Sequence, residues 1–310
     1  MTEQRPWISV IDPLGPAFEQ VKLVLFRPFD FNRWFVIGFC AWLAGLGQGG
    51  FGFNYRPHRR RIQPGEFFQG AGDYVLENLA WVIPAAACAA IFLIVLWLVL
   101  VWLSSRGRFM FLHCVAQDKA EVVLPWKKFR RHANSLFVFR VVLGLTGFVA
   151  ALLPALLAFF LVLAAVHTAW PGVGLIASLV IGVTVMCVIL VAFAVVWKFT
   201  KDFVVPIMFL RTTSCVAAWR EFLPLLSGRK GIFALYILFQ IVMALAIGVI
   251  LLSAGALTCC SVCCLLMIPY IRTVTMLPVL VFTRAYSLHF LRQFGPEFDC
   301  FIVDAVIDAQ

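Results

Sequence analysis

The chain has 310 residues, of which 63% are hydrophobic and 13% charged, with a mean hydropathy of +0.98 and a formal net charge of +10. A soluble domain is about half apolar and a quarter charged, so this composition excludes a soluble enzyme or a secreted disulfide scaffold. It points to an all-α integral membrane protein, in which positive charge reports orientation and contact with anionic headgroups before it reports nucleic-acid binding.

From the N-terminus, residues 12–30 read as an interfacial helix. Asp12 and Pro13 make a good start. Leu14, Phe18, Val21 and Leu25 then fall on one face, with Glu19, Gln20 and Lys22 opposite. The charges Glu3, Arg5, Asp12, Glu19 and Lys22 leave no room for the apolar core of a cleavable signal. The first span is therefore expected to be an uncleaved anchor.

A spanning helix needs roughly 20 mainly apolar residues, and six windows qualify. Trp34 to Gly47 reaches adequate length only if its helix begins near Phe31. Leu79 to Leu103, Leu136 to Val166, Val173 to Trp197 and Ile232 to Ala254 follow. The sixth runs from Leu257 past Arg272 toward Leu291, too long for one simple crossing, so its end is expected to leave the membrane. As one membrane domain over 1–310, the chain divides into three hairpins. The first, 31–104, carries a Gly-rich outer loop at 48–78. The second, 105–213, has an elbow helix at 123–134, and the third, 214–296, has one at 214–226. Residues 297–310 form a tail.

Of the 25 Lys and Arg residues, all but Arg56, Arg59, Arg60 and Arg61 fall on one side of this arrangement. The bias places both termini in the cytoplasm. Each hairpin's second helix is expected to overshoot there, in the runs Phe109 to His113, Ile207 to Arg211 and Val279 to Arg284. An aromatic-basic elbow precedes each odd-numbered span, so the chain reads as three parallel helical-hairpin repeats.

Candidate chemistry is sparse. Cys259, Cys260, Cys263 and Cys264 cluster at helical spacing, which suits a thiol pair or plain apolar packing, without the second ligand group a metal site needs. Arg272 follows Pro269 and Tyr270. In the sixth span it is expected to snorkel to the headgroups, or to meet an anionic solute where Pro269 opens the helix. Arg140, Lys198 and Lys201 are expected to snorkel from span ends, and no carboxylate is expected inside a span. No phosphate-binding glycine loop, zinc motif or nucleophile elbow occurs. No cofactor or metal is implied, and the protein is read as no enzyme.

The stretches Phe26-Arg27-Pro28-Phe29, Arg33-Trp34, Pro269-Tyr270-Ile271-Arg272-Thr273-Val274, Leu277-Pro278-Val279, Arg284-Ala285-Tyr286-Ser287-Leu288 and Gln293-Phe294-Gly295-Pro296 resemble those of uncharacterised bacterial multi-pass membrane proteins. Their layout is similar to the membrane domain preceding some glycerophosphodiester phosphodiesterases. The resemblance implies a bacterial cytoplasmic (inner) membrane location and carries over no activity.

The expected function is a non-enzymatic membrane component that binds membrane lipid, specifically anionic phospholipid headgroups, and no nucleic acid. Lys127, Lys128, Arg130, Arg131, Arg220, Arg229 and Lys230 would form a basic collar, with Trp126 and Trp219 as interfacial anchors. The alternative is a transporter or flippase-like permease for an anionic or lipidic solute, working near Pro269, Tyr270 and Arg272.

Overall fold

The computed structural model describes residues 8–27, 29–46, 78–166, 171–257 and 268–301. These residues are all-helical, apart from their connections. In order they form α1 (Leu14–Phe26), α2 (Phe31–Gly45), α3 (Leu79–Gln117), α4 (Val123–Lys128), α5 (Arg130–Val166) and α6 (Pro171–Phe199). A π-helical turn (Thr200–Val204) joins α6 to α7 (Val205–Arg211). Then come α8 (Cys215–Gly228), α9 (Lys230–Leu257), α10 (Pro269–Thr275), α11 (Leu277–Arg292) and a 3₁₀ turn at Pro296–Phe298.

Among the described residues, four helical stretches are long and apolar enough to cross a bilayer: Leu79–Gln117, Arg130–Leu163, Ile176–Arg211 and Lys230–Gly255. The pair α10–α11, bent by 61°, would make a fifth. The bend has a cause in Pro278, which enters the second helix in its first turn and cannot extend the first. The window expected to cross first is α2, whose 15 residues reach about 22 Å, short of a hydrocarbon core about 30 Å thick.

The apolar shafts have little protein around them. Trp81, Phe92, Phe148, Ile176 and Leu252 all stand more than half exposed, an apolar surface far beyond what water tolerates. The packed core lies instead where the helix extensions meet. Phe109 to Ala116 of α3, Phe203 to Phe209 through the π turn and α7, and Val281 to Leu291 of α11 come together there with Ala17, Val21, Val24 and Leu25 of α1. All three overshooting runs thus enter one core. Aromatic rings fill its centre: Phe203 lies 5.2 Å from Phe222, 5.3 Å from Phe233 and 5.0 Å from Tyr236.

Residues near the start of the described chain pack against α11 and its end. Ser9 N–H donates to Gln293 Oε1 at 2.8 Å, Gln293 Nε2 donates back to the Ser9 carbonyl at 2.9 Å, and Tyr286 Oη donates to the Val10 carbonyl at 2.8 Å.

Several local expectations change. Asp12 makes no side-chain cap on α1; the N-cap position is Pro13. In α1 the face buried against the core holds Ala17, Val21, Val24 and Leu25; Phe18 is exposed, and Gln20, grouped with the polar face in sequence, donates to the Val115 carbonyl at 2.8 Å. The second elbow is only the six residues of α4, and Arg130 and Arg131 open the long α5 instead. Ser214 does cap α8, accepting from Ala217 N–H.

Candidate functional site

The site begins with a proline. Val205 N–H donates to the Thr200 carbonyl five residues back, so the next acceptor in the same register is the Lys201 carbonyl. The residue that should donate to it is Pro206, which has no N–H. Arg284 of α11 takes that place: its Nη1 donates to the Lys201 carbonyl at 2.6 Å. A break in one helix thereby docks a cation from another.

The same turn presents Asp202, which is buried. Lys198 Nζ lies 2.7 Å from its Oδ2, and Tyr236 Oη donates to that oxygen at 3.1 Å. Gln240 bridges the pair, donating to Tyr236 Oη at 3.0 Å and accepting from Lys198 Nζ at 3.2 Å. This corrects one expectation: Asp202 lies in the extension beyond the apolar window that ends at Trp197, and Lys198 reaches along the helix to that carboxylate instead of out to headgroups.

Arg140 is no snorkeller either. It is 2% exposed, and its Nη1 donates to the Val101 carbonyl, Ser104 Oγ and Ser105 Oγ at 3.2, 3.1 and 3.0 Å. The small hydroxyls of α3 create the acceptor nest that lets this cation cross from α5. Its guanidinium also faces the Trp197 ring at 4.8 Å, and Arg108 faces that ring at 4.9 Å.

Arg108 sits beside the closest helix approach. A Cβ on Gly107 would collide with backbone atoms of Leu43 and Ala44, so α2 and α3 touch there through bare backbone. Between these helices and the π turn lies a cavity of about 140 Å³. Its wall includes the small residues Ala41, Ala44 and Gly45, and its polar lining is Arg108, Lys198, Lys201, Asp202 and Arg284.

The collar residues lie elsewhere: Lys127 and Lys128 on α4, Arg220 on α8 with Arg229 at its C-terminal cap, Arg130 and Arg131 at the start of α5, and Lys230 at the start of α9. Lys127, Lys128, Arg130, Arg131, Arg220 and Lys230 are exposed, and Arg229 is half-buried with its guanidinium 6.0 Å from the Phe294 ring. Trp126 and Trp219 turn partly inward: Trp126 packs against Trp102 and Arg106, and Trp219 against Phe139 and Phe222. Pro269, Tyr270 and Arg272 stand on α10, where Tyr270 Oη donates to the Phe35 carbonyl at 2.9 Å. None of the three lines the cavity. Cys259, Cys260, Cys263 and Cys264 and loop residues 48–77 fall outside the described residues. Of the dispersed histidines, His113 is buried between the rings of Phe129 and Phe209, and His289 stacks on Phe301 at 4.5 Å.

Sequence reasoning missed Arg108, Asp202 and Arg284 as one group. The available signal was the Lys198-x-x-Lys201-Asp202 spacing ahead of Pro206, charged at a span's end where an uninterrupted helix would put them on one side.

Residues 8–271 match a family of unknown function, DUF7544, and the chain belongs to that family. No curated protein and no solved structure matches the chain. These comparisons show no likeness to glycerophosphodiester phosphodiesterases.

Proposed function

We propose that the protein is a non-enzymatic component of a bacterial cytoplasmic membrane that seats its elbows on anionic phospholipid headgroups. One observation carries this reading: exposed apolar side chains stand next to exposed basic ones on all three elbows. Phe18, Leu23 and Phe26 stand with exposed Arg27, beside a half-buried Lys22 that pairs with Glu19; Val123 and Leu124 precede Lys127 and Lys128; Val216 and Leu223 bracket Arg220. That pairing suits a helix lying in the interface, with apolar groups at the acyl boundary and cations toward phosphates. Each basic side chain near an anionic surface contributes about 1 kcal/mol. Among the described residues the seven collar cations form no ion pair, so their charge is free for lipid.

We further propose six crossings built as three parallel units. The order elbow, apolar helix, helix with a buried extension runs through α1–α3 and α4–α7, and in the third unit α8 and α9 are followed by the bent pair α10–α11, whose second helix is the buried part. The hydrogen bonds joining Ser9 and Val10 to Tyr286 and Gln293 favour termini on one side, which the charge bias makes the cytoplasmic one.

The test is lipid retention. Replacing Lys127, Lys128, Arg130, Arg131, Arg220, Arg229 and Lys230 by Gln should strip anionic phospholipid from the purified protein, as read by native mass spectrometry. Unchanged retention would overturn the collar. A second reading, a permease for an anionic or lipidic solute, is favoured by the cation-lined cavity near Arg284 and not by Arg272.

A further inference from the structure

Four cations and one carboxylate line the cavity between α2, α3, the π turn and α11. The carboxylate is already engaged, since Asp202 is held by Lys198 and Tyr236. Arg284 spends one nitrogen on the Lys201 carbonyl. Arg108 has no such outlet. It is 4% exposed, and among the described residues none of its three side-chain nitrogens has a hydrogen-bond acceptor. Trp197 offers it only a ring face. A guanidinium does not deprotonate in proteins, and leaving a buried charge unpaired costs several kcal/mol. A second cation, Arg140, stands across Trp197 and adds to the imbalance.

We propose that this cavity is a binding site for a phosphate-type oxyanion, with Arg108 as the principal ligand and Lys201 and Arg284 completing the cradle. The planar fork of Arg108 matches two oxygens of such a group, while the lysine supplies a point charge. The cavity's 140 Å³ is several times the space one water needs, which admits a tetrahedral anion. The phosphate is either a free ion or the headgroup of a lipid such as phosphatidate; the recognition chemistry is the same. The site is separate from the exposed collar and does not depend on it.

The experiment is thermal melting of the full chain in neutral-lipid nanodiscs, with inorganic phosphate added, with phosphatidate incorporated, or with potassium chloride at matched ionic strength. Either phosphate arm should raise the melting temperature of the wild type by several degrees above the chloride control. A response to inorganic phosphate identifies the free ion as sufficient, and a response to phosphatidate alone identifies the lipid. Arg108→Gln should remove the response in either case. Should that variant fail to fold, Lys201→Gln should weaken the response at least tenfold in the concentration required. The collar variant with all seven Gln substitutions should keep its response to inorganic phosphate, or, if only phosphatidate acts, keep the part that Arg108→Gln abolishes. No response in the wild type beyond chloride, or an undiminished response in Arg108→Gln or Lys201→Gln, overturns the proposal.

Discussion

At the scale of single residues, backbone proximity sets the tightest constraints. Gly107 lies against the backbone of Leu43 and Ala44, so Gly107→Ala forces α2 and α3 apart. Overpacking of this kind costs about 3 kcal/mol, and a lowered melting temperature in detergent should report it. Thr212 ends α7 with φ 48°, a left-handed conformation that a β-branched residue adopts at a cost of about 1 kcal/mol or more. Its exposed side chain holds nothing in compensation, so Thr212→Gly should raise stability by about 1 kcal/mol in the same assay. Cys215 and Cys300 are buried, and burial pushes each thiol up to about 12. Above the ordinary thiol value near 9 the folded state therefore holds more protons than the unfolded one. Stability from these groups is complete below pH 9 and is lost as pH rises toward 12. Maleimide labelling at pH 8 should leave both thiols unmodified until the protein unfolds; rapid labelling of the folded protein would contradict their burial.

At the scale of elements, the π turn shows how a local rule creates a tertiary contact. Pro206 removes a donor, the Lys201 carbonyl loses its partner, and Arg284 supplies one. Pro206→Ala restores the missing N–H, which then competes with Arg284 for that carbonyl. In a double-mutant cycle, Arg284→Met should cost at least about 1 kcal/mol less on the Pro206→Ala background than on the wild type. Equal costs would show that the two act independently. The sequence pattern placed short helices at 12–30, 123–134 and 214–226; the structure has α1 and α8 there but only Val123–Lys128 for the second. The buried face of α1 was legible only in part. The pattern grouped Phe18 with Val21 and Leu25 on one face, but in the structure Ala17, Val21, Val24 and Leu25 are buried, Phe18 is exposed, and Gln20 donates to the Val115 carbonyl of α3.

At the scale of the whole molecule, the unusual feature is a core displaced to one end. The shafts expose their apolar side chains, while three helix extensions and α1 bury theirs together. If that end is cytoplasmic, as the charge bias requires, Lys128→Cys should be shielded from a membrane-impermeant maleimide in intact cells. Arg60→Cys, in the loop that the charge pattern reads as outer, should label readily. The reverse pattern would invert the topology.

The long apolar runs of the sequence pointed to helices suited to a bilayer, and the described residues are all-helical, with four helical stretches long and apolar enough to cross one. The one-sided distribution of Lys and Arg marked the end where charge would gather. Only the tertiary structure decided which of those cations face outward and which are enclosed. Arg140, Lys198 and Lys201 look in sequence like ordinary residues at the ends of spans. Arg140 is drawn inward by the hydroxyls of Ser104 and Ser105, near only in space, and Lys198 by Asp202 one turn along its own helix together with Gln240 of α9, while Lys201 lines the cavity. Arg108 is enclosed for a different reason, the close approach of two helices at Gly107. Hydropathy sums over neighbours in the chain, whereas desolvation is set by neighbours in space, and that difference separates the collar from the cavity.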